Sequence, residues 1–66
     1  MSLYHFLMAH LRACTGRPAD AVQHLVACLA ADPSYVADAR ADPALRPFIE
    51  EARRRAFPGG RPEGYA

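Results

Sequence analysis

Residues 16–33 read Gly16-Arg17-Pro18-Ala19-Asp20-Ala21-Val22-Gln23-His24-Leu25-Val26-Ala27-Cys28-Leu29-Ala30-Ala31-Asp32-Pro33. Gly16 and Pro18 indicate a turn and then a helix start, because the N–H that proline lacks would be unpaired in the first helical turn anyway. Apolar residues then recur at helical spacing on one side of the segment: Ala21, Val22, Leu25, Val26, Cys28 and Leu29. Asp32 ends the helix, because the residue before a proline is pushed out of the α conformation. The segment therefore predicts one amphipathic helix.

Five positions of this region carry the pattern of a known repeat: Gly16, Ala21, Leu25, Cys28 and Pro33. They resemble the turn glycine, the small, large and small side chains, and the closing proline of the second helix of a tetratricopeptide repeat. In the first helix, the family's aromatic, leucine, glycine and tyrosine positions fall on His5, Met8, Ala9 and Arg12. Residues 1–34 thus resemble one repeat, and the resemblance implies an antiparallel hairpin. The alternative is a generic helical hairpin that carries the same glycine and proline.

The residues before Gly16 predict a partner helix. Ser2 is a suitable N-cap, and the helical pattern continues to about Cys14 or Thr15. Apolar side chains occupy two sides of this helix: Leu3, Leu7, Leu11 and Cys14 on one side, with Tyr4 and Met8 adjoining, and Phe6, His10 and Ala13 on the other. We therefore expect neighbours to contact the helix from two directions.

Two shorter helices are predicted after Pro33. Residues 34–40 form the first, closed by Asp42-Pro43, and its inward side chains are Tyr35, Val36 and Ala39. The second carries apolar residues at helical spacing: Leu45, Phe48, Ile49, Ala52 and Ala56. Pro47 either kinks an early turn of this helix or marks its true start. Residues 35–45 also resemble the way bacterial tetratricopeptide arrays end, which implies a degenerate terminal cap.

These elements predict an all-α fold: a tetratricopeptide-like hairpin plus two short helices, forming either an α-solenoid fragment or a small helical bundle. Residues 1–57 would form the helical domain, and the Pro- and Gly-rich residues 58–66 a flexible tail. The 66 residues allow at most one small domain with little core. Either the sequence is cut from a larger protein, or a partner completes its core.

Charge and composition exclude several classes of function. The net charge is +1, from 8 basic and 7 acidic residues, so there is no general electrostatic case for nucleic acid or membrane binding. No apolar run reaches the ~18 residues of a membrane span, and the start lacks the pattern of a signal peptide. A cytoplasmic protein is expected, and the use of arginine without lysine, with abundant alanine and proline, suggests a bacterial genome.

Histidine and cysteine suggest a metal site, but their spacing argues against one. His10 and Cys14 are four residues apart, as are His24 and Cys28, so each pair shares a helical face. In a hairpin that turns near Arg17, His10 and His24 lie at similar heights, whereas the two cysteines are about 12 Å apart along the axis. A zinc ion with Zn–S bonds of ~2.3 Å does not span that distance. We expect no metal and no disulfide between these cysteines.

An enzyme is not expected either. Cys14 beside His10 has the residue types of a nucleophile and a base. The sequence supplies no Gly-rich phosphate loop, oxyanion hole or deep pocket, and we expect no cofactor. Arg53, Arg54 and Arg55 lie near a helix C-terminus, where they complement the helix dipole and reach Glu50 and Glu51 for ion pairs.

The resemblance implies a protein-binding role. In tetratricopeptide proteins the first helices line a groove that holds peptides, and the corresponding residues here are Leu3, Phe6, His10, Ala13 and Cys14. This apolar set suits a helical peptide, another protein or a second copy of the chain, unless the chain's own later helices cover it. The expected function is a non-catalytic protein–protein interaction module resembling the terminal repeat of an array. The alternative is an accessory helical domain of a larger bacterial enzyme that aids its folding or dimerisation.

Overall fold

The computed structural model describes residues 2–59 and confirms the all-α fold. Within these residues, four α-helices and one short 3-10 helix follow each other: α1 (Ser2–Cys14), α2 (Pro18–Ala31), α3 (Tyr35–Ala41), the 3-10 helix (Arg46–Phe48) and α4 (Ile49–Ala56). The predicted tail, residues 58–66, falls largely outside the described residues, as does Met1. The arrangement is that of a small helical bundle.

The turn between α1 and α2 depends on Gly16. This residue has φ +75°, a left-handed conformation that glycine adopts without steric cost. The N–H of Arg17 donates to the carbonyl of Arg12 at 2.9 Å, the closing bond of a Schellman motif at a helix C-terminus. Pro18 is the first residue of α2, as its position after the turn predicts. The conformation of Gly16 and this hydrogen bond thus reverse the direction of the chain within the three residues between α1 and α2.

The core forms where α2 contacts both α1 and α4. Ala9 of α1 and Ala21 of α2 are both fully buried. The largest fully buried side chains come mainly from α2: Leu25, Cys28 and Leu29, with Leu45 from the loop before the 3-10 helix. Ala39, Ile49, Ala52 and Phe57 extend the same cluster. α2 is therefore the central element of the fold.

In both Asp-Pro pairs, the aspartate side chain accepts a hydrogen bond from a backbone N–H two residues later. Asp32 Oδ1 accepts from the Ser34 N–H at 3.1 Å, and Asp42 Oδ1 accepts from the Ala44 N–H at 2.9 Å. Each aspartate thereby satisfies a backbone amide that has no helical partner. Pro47 lies inside the 3-10 helix that precedes α4, so it marks the entry to the last helix and α4 itself starts at Ile49.

Candidate functional site

Among residues 2–59, no other element covers one apolar side of the first helix. Four large side chains on this side are about half exposed: Leu3 (56%), Tyr4 (53%), Leu7 (57%) and Leu11 (49%). They follow a spacing of three or four residues and so share one helical face. We call Leu3, Tyr4, Leu7 and Leu11 the outer face of α1. A contiguous exposed apolar strip of this kind is a candidate binding surface.

The five residues predicted to line a groove do not form one surface. Leu3 and Cys14 are exposed, with Leu3 on the outer face. Phe6 and Ala13 instead pack against the core, and the Phe6 ring lies 5.3 Å from that of Tyr35 in α3. His10 is exposed beside them and faces the loop after α3. The chain's own later segments therefore cover the inner part of the predicted groove, and the outer face is what remains open.

A chain of polar contacts links the end of α1 to the loop after α3. The Nδ1–H of His10 donates to Asp42 Oδ2 at 2.7 Å, while the Cys14 Sγ lies 3.5 Å from His10 Nε2. Asp42 is fixed by its second oxygen, which accepts from the Ala44 N–H. We call Cys14, His10 and Asp42 the thiol–imidazole–carboxylate chain. Spacing along α1 predicts the contact between Cys14 and His10, but nothing in the sequence places Asp42 beside them.

A second histidine contact joins α1 to α2. The Nδ1 atoms of His5 and His24 are 3.1 Å apart, and the Tyr4 ring stands edge-on to both imidazoles. The sequence places His10 and His24 at similar heights, but the imidazole that contacts His24 is that of His5. His5 and His10 are five residues apart, which turns them about 140° from each other on α1, so only one of them faces α2. Within residues 2–59 no three His, Cys, Asp or Glu side chains come together in a way that would hold a metal ion.

The two cysteines have opposite surroundings, and both are free thiols. Cys28 is fully buried at the small-residue position of α2. Burial raises the pKa of its thiol from 9.0 to about 11, and the negative charges of Asp32 and Asp38 add to the shift. A buried thiol of high pKa is unreactive. Cys28 is therefore a packing residue, whereas Cys14 is exposed to reagents.

The arginines of α4 are engaged within their own helix. Arg53 pairs with Glu50 at 3.4 Å, while Arg54 and Arg55 pair with Glu51 at 2.7 and 2.9 Å. The hydrogen bond from Arg54, followed by the charge of Arg55, lowers the pKa of the Glu51 carboxyl. These pairs confirm the predicted i,i+3 and i,i+4 ion pairs.

Comparison of the chain with protein-family models, with curated proteins and with solved structures finds no match. Among the helices within residues 2–59, none combines the length and the apolar character that crossing a membrane requires. The candidate functional features of the described residues are the outer face of α1 and the thiol–imidazole–carboxylate chain.

Proposed function

We propose that this chain is a non-catalytic protein–protein interaction module that resembles a terminal tetratricopeptide repeat and binds through the outer face of α1. The observation that carries the proposal is the exposure of Leu3, Tyr4, Leu7 and Leu11 on a single side of one helix. A helix with an apolar face in a soluble domain buries that face against another element. The partner that we propose is a second copy of the chain.

The features of the outer face favour self-association. Leu3, Leu7 and Leu11 are four residues apart, so they form a continuous ridge of the kind that packs against an equivalent ridge on another helix. The side chains of the face carry no charge, so two copies meet without like-charge repulsion. A two-fold contact in which each copy presents the same surface is the commonest closed arrangement of identical chains. The uncharged leucine ridge on the outer face of α1 can form such a two-fold contact with the same ridge of a second copy.

The size of the outer face determines how tightly two copies are expected to bind each other. Burying a Leu or Tyr side chain completely contributes about 1.5–3 kcal/mol, so a half-exposed one contributes about 1 kcal/mol. Eight such side chains in a dimer give about 8 kcal/mol, which is partly offset by the ~4 kcal/mol or more that association costs. The net of about 4 kcal/mol or less corresponds to a dissociation constant of about 1 mM or weaker.

Three features of the hairpin support its resemblance to a tetratricopeptide repeat. Gly16 forms the turn, Ala9 and Ala21 are both fully buried, and Pro33 follows the end of α2. The peptide groove of the family is a different matter, since Phe6 and His10 face Tyr35 and Asp42 of the same chain. We therefore assign binding to the outer face of α1 rather than to that groove.

Sedimentation equilibrium over a hundredfold concentration range tests the proposal. We expect the wild-type chain to be monomeric at the low end of this range and to form dimers as the concentration approaches about 1 mM, with a melting temperature that rises with concentration. Leu7→Glu places a charge on the outer face and should remain a folded monomer. Gln23→Glu introduces the same charge at an exposed position of α2 and should associate like the wild type. A wild-type chain that stays monomeric throughout, or a Leu7→Glu variant that still dimerises, would contradict it.

A further inference from the structure

We propose that Cys14 is a thiol-modification site that reacts with small disulfides, with His10 as the acceptor of its proton and Asp42 as the residue that positions His10. The proposal is independent of the interaction role of α1. It rests on the juxtaposition of three side chains from two separate segments, with Sγ–Nε2 and Nδ1–Oδ2 distances of 3.5 and 2.7 Å.

The three side chains are arranged as in an activated nucleophile: Cys14 is the nucleophile, His10 is the base, and Asp42 orients the base. A nucleophile within reach of a base, which is itself oriented by a third group, is the structural signature of such activation. Because Asp42 accepts the Nδ1–H of His10, the lone pair of the neutral imidazole lies on Nε2, on the side of the Cys14 thiol. Once Nε2 has taken the thiol proton, the carboxylate of Asp42 stabilises the imidazolium. The thiolate, which is the reactive form of cysteine, is favoured in turn.

Asp42 is held in place independently of His10. Its Oδ1 accepts from the Ala44 N–H at 2.9 Å, and its backbone carbonyl accepts from the N–H groups of Leu45 and Arg46 at 3.0 and 2.9 Å. The Asp42 side chain is 14% exposed, whereas that of His10 is 48% exposed. A carboxylate fixed by its own loop thus orients an imidazole that remains accessible to reagents.

The exposure of Cys14 determines the class of substrate. The thiol lies at the end of α1 on the protein surface, so a small reagent reaches it without an opening motion. Low-molecular-weight disulfides fit, because thiol–disulfide exchange requires only an approaching thiolate and an accessible sulfur.

The thiol–disulfide exchange needs no reactant other than Cys14, His10 and the small disulfide. Cys14 transfers its proton to His10 Nε2, and the thiolate attacks one sulfur of the disulfide RS–SR. A new Cys14–SR bond forms while the S–S bond of the reagent breaks, so Cys14 is oxidised and the departing RS group is reduced. The imidazolium of His10 then gives its proton to the departing thiolate, which leaves as RSH.

The test measures how fast oxidised glutathione modifies Cys14, with mass spectrometry as the readout. All variants carry Cys28→Ala, so that one thiol reports, and circular dichroism confirms that each is folded. At pH 7 we expect His10→Gln to lower the rate about tenfold, because only a few per cent of an unassisted thiol is thiolate at this pH. Asp42→Asn, which retains a side-chain oxygen for the Ala44 N–H, should lower it less.

Comparison with the unfolded chain separates activation from a merely structural role. With His10 present, the folded chain should react faster than the unfolded one, whereas folded His10→Gln should react at about the unfolded rate. The same chain unfolded in urea gives the reference rate of an unassisted thiol. A folded chain that reacts at the urea rate, or a His10→Gln variant that reacts as fast as its parent, would overturn the proposal.

Discussion

The imidazole of His10 and the carboxylate of Asp42 join two parts of the chain that are 32 residues apart, with 2.7 Å between Nδ1 and Oδ2. His10 belongs to the third turn of α1, and Asp42 to the loop that follows α3. The contact places the end of the hairpin against the loop that leads to the last helix. It also orients His10 toward Cys14, so a single aspartate serves both the fold and the chemistry of the surface.

Asp42 should matter more to stability than His10 does. Asp42→Ala removes the cap on the Ala44 N–H as well as the bond to His10, and we expect a loss of about 1–2 kcal/mol in the free energy of unfolding. His10→Ala removes only the partly exposed contact and should cost less than about 1 kcal/mol. Urea unfolding of both variants measures the difference. Equal losses would mean that the turn does not depend on the aspartate.

The hairpin should not accept a large side chain at Ala21. This residue is fully buried, so Ala21→Leu forces the helices apart and should cost about 1–3 kcal/mol. Ala30→Leu adds the same side chain to an exposed position of α2 and should change stability by less than about 0.5 kcal/mol. Thermal melts at matched concentration compare them. A melting temperature unaffected by Ala21→Leu would contradict the close contact between α1 and α2.

Gly16 should be sensitive for a backbone reason alone. Its φ of +75° disfavours any residue with a Cβ, while an added Cβ would meet nothing within 4 Å. We therefore expect Gly16→Ala to destabilise the chain by about 1–2 kcal/mol and Gly16→Asn by less, because asparagine tolerates this conformation. Gly59→Ala, in equally open surroundings, is the control and should be neutral. Chemical denaturation that finds Gly16→Ala as stable as the wild type would refute the role of the turn.

Cys28 should make the fold sensitive to alkaline pH. The folded chain holds the Cys28 proton up to a pH of about 11, whereas the unfolded chain loses it near the ordinary pKa of 9.0. The folded state therefore binds more protons in this interval, so its stability is complete below pH 9 and falls as the pH rises toward 11. The loss should reach about 1–3 kcal/mol.

Two cysteine variants isolate this effect. Cys28→Ala should remove the decline between pH 9 and 11, apart from the part caused by other groups, while Cys14→Ala should retain it. The measurement is the free energy of unfolding in urea as a function of pH. If Cys28→Ala and the wild type lose stability in parallel, ionisation of the buried thiol is not the cause.

Local signals in the sequence were sufficient for most of the fold. Pro18 and the pair Asp32-Pro33 set the two ends of α2 by restricting the backbone, and Ser2 marks the start of α1. Pro47 left two alternatives open, because a proline is compatible with both a kinked helix and a helix start. In the structure, Pro47 lies in the short 3-10 helix that leads into α4.

The candidate sites were less predictable because they depend on how the elements pack. α1 is apolar on two sides, and periodicity does not tell which side the remaining helices cover. They cover Phe6 and leave Leu7 exposed, so a charge at Phe6 would disturb the fold as well as any interface. The contacts of His5 with His24 and of His10 with Asp42 join residues 19 and 32 positions apart. No spacing rule connects residues at that distance in the sequence.

Contacts between copies of the chain test the central claim most directly. In an equimolar mixture of isotope-labelled and unlabelled protein at millimolar concentration, filtered nuclear Overhauser spectra detect only contacts between different molecules. We predict such contacts for the methyl groups of Leu3, Leu7 and Leu11 and for the ring of Tyr4, and their loss in Leu7→Glu. Intermolecular contacts that involve other surfaces, such as Phe48 or Pro58, or none at all at this concentration, would contradict the assignment of the outer face of α1 as the interface.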